Sequence, residues 1–259
     1  MNRSQAWIHP EASVSGEAVI EPFAAIYGDV EIGAGTWVGP GAVIMDGARI
    51  GKDCKIYPGA VISAIPQDLK YKGESTTVEI GDRTTVREFV TINRGTSDRM
   101  KTAVGNDCLL MAYVHIAHDC LIGDHCIIAN ASTLAGHITM EDHVTLEGLV
   151  AVQQFIRIGS NAFVAGTSKV RKNIPPYIKA AREPLGYAGV NAIGLKRRGF
   201  SKEDIRKIED IYRLLFVHNT NIGQGVESVK GKIEVSIYKT QILNFISESE
   251  NGIIRGPLG

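Results

Sequence analysis

Aliphatic residues recur along this chain every six positions. From Ile8 the steps fall on Val14, Ile20, Ile26, Ile32, Val38, Ile44, Ile50, Ile56 and Ile62, then on Ile80, Val86 and Ile92, and then without interruption from Val104 to Val170. Of the 28 positions in this phase, 25 are Ile, Val, Leu or Met. The fifth place in each hexad is usually small, as at Ala12, Ala42, Cys54, Cys108, Cys120, Cys126 and Ser132, and the second is often glycine, as at Gly33, Gly51, Gly105 and Gly123. Neither a helical period nor a plain two-residue alternation produces this spacing. A short strand, a tight turn and another short strand do, with three hexads closing one triangular coil. Coils stacked as parallel strands ~4.8 Å apart would make a prism of about eight turns, about 40 Å long.

The pattern breaks twice, at residues 64–79 (AIPQDLKYKGESTTVE) and 97–103 (SDRMKTA), where the aliphatic place is lost and charge appears. These segments are expected to leave the prism as loops, and long loops on a rigid scaffold often carry function. After Val170 the period ends at NIPPY, where tandem prolines are expected to stop strand pairing. The segment 199–218 then reads as a helix with Ser201 and Asp204 as a capping box and Ile205, Ile208, Tyr212 and Leu215 on one face. Two shorter amphipathic stretches, near 226–233 and 235–246, complete a small helical unit. The predicted division is a β-helix over 1–184 and a C-terminal helical domain over 185–259.

Composition narrows the function. Twenty-eight basic residues balance 28 acidic ones, which excludes a polybasic nucleic-acid-binding protein and an acidic tail. Aromatics are only 7% of the chain while glycine numbers 28, so the core must be aliphatic and rich in turns. No run approaches the ~18 apolar residues of a membrane span, and MNRSQAWIHP lacks the apolar region of a secretory signal. A cytoplasmic protein with no stable membrane insertion is expected. The four cysteines all fall on inward fifth places and read as small core residues rather than disulfide partners.

Residues 18 apart in the uninterrupted block sit one coil above each other. Asp119 therefore lies under His137, and His118 under Gly136 with Gln154 a further coil up. Asp107, His125 and His143 form a second stack on another face. A carboxylate beside an imidazole, with a glycine whose N–H is accessible, suits acyl transfer: a base for a hydroxyl proton and a donor for the oxyanion. Spacing alone does not choose between the two stacks. The γ-class carbonic anhydrases hold zinc on a similar repeat with two histidines five residues apart, a spacing absent among His115, His118, His125, His137 and His143, so no metal is expected.

The motifs QDLKY (67–71), VEIGDRTTVREFVTINRGT (78–96), YVHIAHDC (113–120), TLAGHI (133–138), AVQQF (151–155), PPY (175–177) and GLKRRGF (194–200) together resemble the UDP-N-acetylglucosamine O-acyltransferases, which carry out the first step of lipid A biosynthesis. The resemblance runs over essentially the whole chain. It implies a left-handed parallel β-helix, a homotrimer, and transfer of a 3-hydroxyacyl group from acyl carrier protein to the 3-hydroxyl of UDP-N-acetylglucosamine, with no cofactor. It makes His118 the general base, Asp119 its polarising partner and the Gly136 N–H the oxyanion donor. Asp68, Lys70, His115, His137 and Gln154 would hold the sugar and pyrophosphate, Asn191 and Arg197 would reach the nucleotide from a neighbouring subunit, and Gly166 occupies the position that measures acyl length. Gln153, Asn93 and Ile193 depart from the common pattern, which puts the nucleotide contacts in question. A related N-acyltransferase is the alternative, but that family carries a uridine-binding domain ahead of its repeat, and here the first hexad begins at Ile8.

Overall fold

The computed structural model describes residues 5–219 and 221–256. Its strands, most of them two residues long, form three sheets of nine, eight and ten strands, and the chain visits the sheets in rotation. Partners stand 18 residues apart where the repeat is unbroken, as in Leu109↔Ile127 and Leu121↔Thr139, and all pairs but the last are parallel. Each first-place side chain points inward. Ile26, Ile44, Ile62, Ile92, Ile116 and Leu134 form one fully buried column along the first sheet. Cys54, Cys108, Cys120 and Cys126 are buried and unbridged, and burial pushes the Cys120 thiol up to about 12.

The turns explain the remaining places of the hexad. The fourth residue sits in the left-handed region, with φ of 59° at Asp119, 56° at His125, 63° at His137 and 60° at His143. Asp, Asn and His tolerate that conformation better than other side chains, which is why they collect at the corners. Second-place glycine answers to contact instead: a Cβ on Gly105 would lie 2.6 Å from the Gly123 carbonyl carbon one coil on.

Both breaks leave the prism, the first over a shorter span than the sequence pattern suggested and the second over an equal span that begins three residues earlier. Ala64 pairs with Asn93, and Thr77–Ile80 pairs with Lys101–Val104, so the true excursions are 65–76 and 94–100. Both depart from the corner between the first and second sheets, on consecutive coils. The tandem prolines do not end the sheet. Pro175 and Pro176 fall between Ile174 and Tyr177, whose N–H groups bond to Arg157 and Ser160 below, so no ladder donor is lost. The chain continues as Ile178–Ala181, parallel to Phe163–Val164, and folds back as Gly186–Val190. The division drawn at residue 184 falls inside this hairpin.

Among the described residues four α-helices follow: α1 (Ala192–Arg197), α2 (Lys202–Tyr212), α3 (Ile222–Lys232) and α4 (Ile237–Ser247). The α2 capping box forms as expected from Ser201 and Asp204. The single helix expected over 199–218 instead widens into a π-helical turn at Arg213–Val217, which buries both Leu215 and Phe216. Tyr212, fully buried, donates its hydroxyl to the Pro176 carbonyl at 2.6 Å and stacks with Tyr187 and Phe216, tying the helices to the hairpin.

Candidate active site

The corner between the first and second sheets carries, on successive coils, the two excursions, then His118 and Asp119, then Gly136 and His137, then Gln154 and Phe155. Rotation through three sheets is what brings these distant segments into one column.

His118 and Asp119 form the centre. The imidazole Nδ1 is 2.8 Å from Asp119 Oδ2, and Asp119 is completely buried. Burial alone would raise the Asp119 carboxyl, but it accepts hydrogen bonds from the Thr96 hydroxyl, from His118 and from the Thr96 and Arg99 N–H groups, which together hold it below the usual carboxylate range. An ionised Asp119 accepts a hydrogen bond from the Nδ1–H, which keeps the proton on Nδ1, so Nε2 carries the lone pair and faces out of the corner. Asp68 Oδ2, from the first excursion, stands 3.9 Å from that nitrogen. Lys70 is exposed, and its N–H closes an Asx turn on Asp68.

The Gly136 N–H lies one coil above and donates to no group among the described residues. Its Cα hydrogens face the His118 ring, where a Cβ would sit 2.6 Å from Cε1. His137 meets His118 edge-on at 5.0 Å and stacks on Phe155 at 4.5 Å. His115 hydrogen-bonds the Thr91 hydroxyl at 2.7 Å, and burial, then the nearby His118, hold its imidazole below the ordinary range, so it is neutral. The arrangement offers one buried-carboxylate-backed base, an unpaired amide donor beside it, and a rim of polar side chains.

Known proteins share the sequence and the fold. Over 93% of its length the chain is 43% identical to the acyl-[acyl-carrier-protein]–UDP-N-acetylglucosamine O-acyltransferase of Herminiimonas arsenicoxydans, covering 99% of that protein. It belongs to the UDP-N-acetylglucosamine O-acyltransferase family. Residues 173–254 match the family's second domain, and 29–64 and 101–136 match the bacterial transferase hexapeptide. The UDP-N-acetylglucosamine acyltransferase structure from Bacteroides fragilis superposes with a TM-score of 0.95 at 46% identity, over 97% of this chain and 98% of that one. The corresponding Francisella novicida enzyme gives 0.93 at 37%, over 98% and 94%. The chain is thus an acyltransferase built on a left-handed parallel β-helix with a small helical domain.

Geometry also separates the two stacks that spacing left equal. His125 and His143 stack face to face at 4.7 Å, but Asp107 is 3.9 Å from His125 and gives both carboxylate oxygens to Arg83 at 2.7 Å. That carboxylate is held in a two-point pair with a guanidinium and stands beyond hydrogen-bonding range of His125, so it does not polarise the imidazole as Asp119 does. His143 is pushed below the ordinary range by burial, then by Arg198, whose Nη2 donates to the His143 carbonyl at 3.0 Å.

Other expected residues lie apart within one chain. Gly166 occupies the corner between the third and first sheets and donates its N–H to Glu147 at 2.9 Å. Arg197 is exposed on α1. Asn191, expected among the nucleotide contacts, is only 6% exposed; its amide donates to the Asn161 carbonyl and its oxygen caps Gly194 of α1. Its side chain is therefore committed to the helix start. Of the departures from the family pattern, Asn93 is buried and donates to the Ile65 carbonyl at the root of the first excursion, while Ile193 is exposed. Reasoning from the sequence missed Thr96, Asp98 and Arg99; the signal was the RGTSDR run at the second break, which leaves from the same corner as His118.

His118, Asp119 and His137 are the one set among the described residues with imidazole and carboxylate atoms all within 4.8 Å of one another. Asp119 Oδ2 already accepts from Thr96 and His118, so a metal ion on that oxygen would have to displace at least one of these bonds.

Proposed function

We propose that the chain transfers a 3-hydroxyacyl group from acyl carrier protein to the 3-hydroxyl of UDP-N-acetylglucosamine. The observation that carries this reading is the His118–Asp119 pair beneath the unpaired Gly136 N–H. His118 Nε2 takes the sugar hydroxyl proton as the oxygen attacks the thioester carbonyl carbon. Asp119 stabilises the imidazolium that results, as a buried carboxylate does for a catalytic histidine. The Gly136 N–H donates to the oxyanion. When the carbon–sulfur bond breaks, the imidazolium returns its proton to the carrier thiolate, so no cofactor is consumed.

In this reading Asp68, Lys70, His115, His137 and Gln154 line the sugar and pyrophosphate site, and Arg197 of a neighbouring copy reaches the nucleotide. A homotrimer is supported by the third corner, where Phe89, Tyr113 and Leu149 stand in a column, each more than half exposed in the single chain, and lead to Gly166. Burying that column between prisms would give the acyl chain an apolar groove. The protein works in the cytoplasm on this account; no helix among the described residues is long and apolar enough to cross a membrane. The test is incubation with 3-hydroxyacyl carrier protein and UDP-N-acetylglucosamine, with and without a chelator. A mass spectrum should show the O-acylated nucleotide sugar and free carrier thiol in both. Thioester hydrolysis without acylated sugar would overturn the reading, and loss of turnover on chelation would overturn its metal-free mechanism.

A further inference from the structure

The second excursion does more than clamp Asp119. Between Thr96 and Arg99 it carries Asp98, whose Oδ2 lies 3.0 Å from His137 Nδ1. That nitrogen is sealed from solvent and has no aligned hydrogen-bond acceptor among the described residues, so the Asp98 carboxylate beside it is the group available to accept a hydrogen bond from its N–H. The rest of the His137 ring is already held. One face stacks on Phe155, an edge meets His118, and the side chain is 11% exposed. Its Nε2 stands 3.8 Å from Asp119 Oδ2, too far for a hydrogen bond, and that oxygen is occupied by Thr96 and His118.

We propose that Asp98 is a positioning residue, forming with His137 a second carboxylate–imidazole pair beside His118–Asp119. A small rotation aligns the Asp98 carboxylate with the Nδ1–H of His137. The proton is then fixed on Nδ1, and Nε2 is left as an acceptor toward the corner. An acceptor there suits a hydroxyl or amide N–H of a sugar, so Asp98 acts on substrate through His137 and touches none itself. One seven-residue excursion thereby sets the tautomers of both histidines. This assignment of Nε2 to the sugar rests on the proposed function; the pairing of Asp98 with His137 does not.

The side chain of Asp98 is 62% exposed, and its backbone N–H bonds the Thr96 hydroxyl, so substitution leaves the clamp on Asp119 in place. Asp98→Ala should keep the wild-type melting temperature and raise KM for UDP-N-acetylglucosamine roughly tenfold, the scale of one lost charge-assisted hydrogen bond, with kcat and the carrier-protein KM little changed. Asp98→Asn, which keeps an acceptor oxygen, should recover part of that loss. In ¹⁵N-histidine spectra of the intact protein, His137 should carry its proton on Nδ1 in the wild type and shift toward the Nε2–H form in Asp98→Ala. An unchanged sugar KM in a folded, active variant would overturn the role toward substrate. An unchanged His137 tautomer would overturn the pairing itself. If the wild type fails to acylate the nucleotide sugar, the functional reading falls, and the spectra still decide whether Asp98 sets His137.

Discussion

Gly136→Ala tests the active-site geometry with one methyl group. The backbone at 136 is outside the left-handed region, so alanine is acceptable there and the whole perturbation comes from contact. An ideal Cβ would lie 2.6 Å from His118 Cε1, 2.8 Å from Nε2 and 3.1 Å from Nδ1. Relaxed carbon contacts need ~3.5–4.0 Å, so the ring must retreat by about 1 Å. It has little freedom, being tied to Asp119 at 2.8 Å and set edge-on to His137. A retreat of that size stretches the Nδ1–Oδ2 bond beyond hydrogen-bonding range. Losing a bond to a charged group costs about 1.5–3 kcal/mol, which for a chain of this size lowers Tm by about 2–4 °C per kcal/mol. Misplacing a reacting group by 1 Å costs on the order of 10²-fold, and losing the general base up to ~10⁴-fold. Turnover should therefore fall by ~10²–10⁴ while the fold persists. The assay is kcat with a defined 3-hydroxyacyl carrier protein and saturating UDP-N-acetylglucosamine, with Tm measured in parallel. Gly16→Ala is the control, since a Cβ there meets nothing within 4 Å. A Gly136→Ala protein with wild-type turnover and Tm would show that the ring does not work from this position.

His118→Ala should fold and lose ~10²–10⁴ in turnover, whereas His125→Ala, whose nearest carboxylate is engaged by Arg83, should cost far less; equal losses would mean the wrong stack has been chosen. Gly166→Met should shorten the preferred acyl chain, because a Cβ there comes no nearer than 3.2 Å to the Gly148 carbonyl and the longer side chain can extend into the groove. Each methylene denied apolar contact is worth ~0.8 kcal/mol, so kcat/KM across a series of donor lengths should turn over earlier, and an unchanged profile would make Gly166 only a turn residue. Stability should fall as the pH is lowered through the imidazole range: His115 and His143 are held below their ordinary values, each first by burial, so the unfolded chain binds protons below about pH 6.5 that the native state does not. Denaturant midpoints at pH 7.5 and 5.5 should show this, and the double variant His115→Gln, His143→Gln should flatten it.

The six-residue period determined the prism, because an inward aliphatic at every first place and a small residue at every fifth leave a short-strand coil as the way to bury them all. It also fixed which residues stack, since a coil of three hexads makes 18 the vertical step; His118 under Gly136 followed from arithmetic alone. Periodicity could not weigh His118 against His125. That choice depends on where other segments send their donors: Thr96 and Arg99 converge on Asp119 from an excursion 23 and 20 residues back, while Arg83 pairs with Asp107. The same limit explains the prolines at 175 and 176, which read as a stop in one dimension but sit in a turn where no N–H is needed. It explains Asn191 as well, whose amide is taken up by a helix start and a carbonyl 30 residues back. Local spacing controls which way a side chain points; only the tertiary structure decides what meets it there, because hydrogen-bond capacity is shared among groups that the sequence holds far apart.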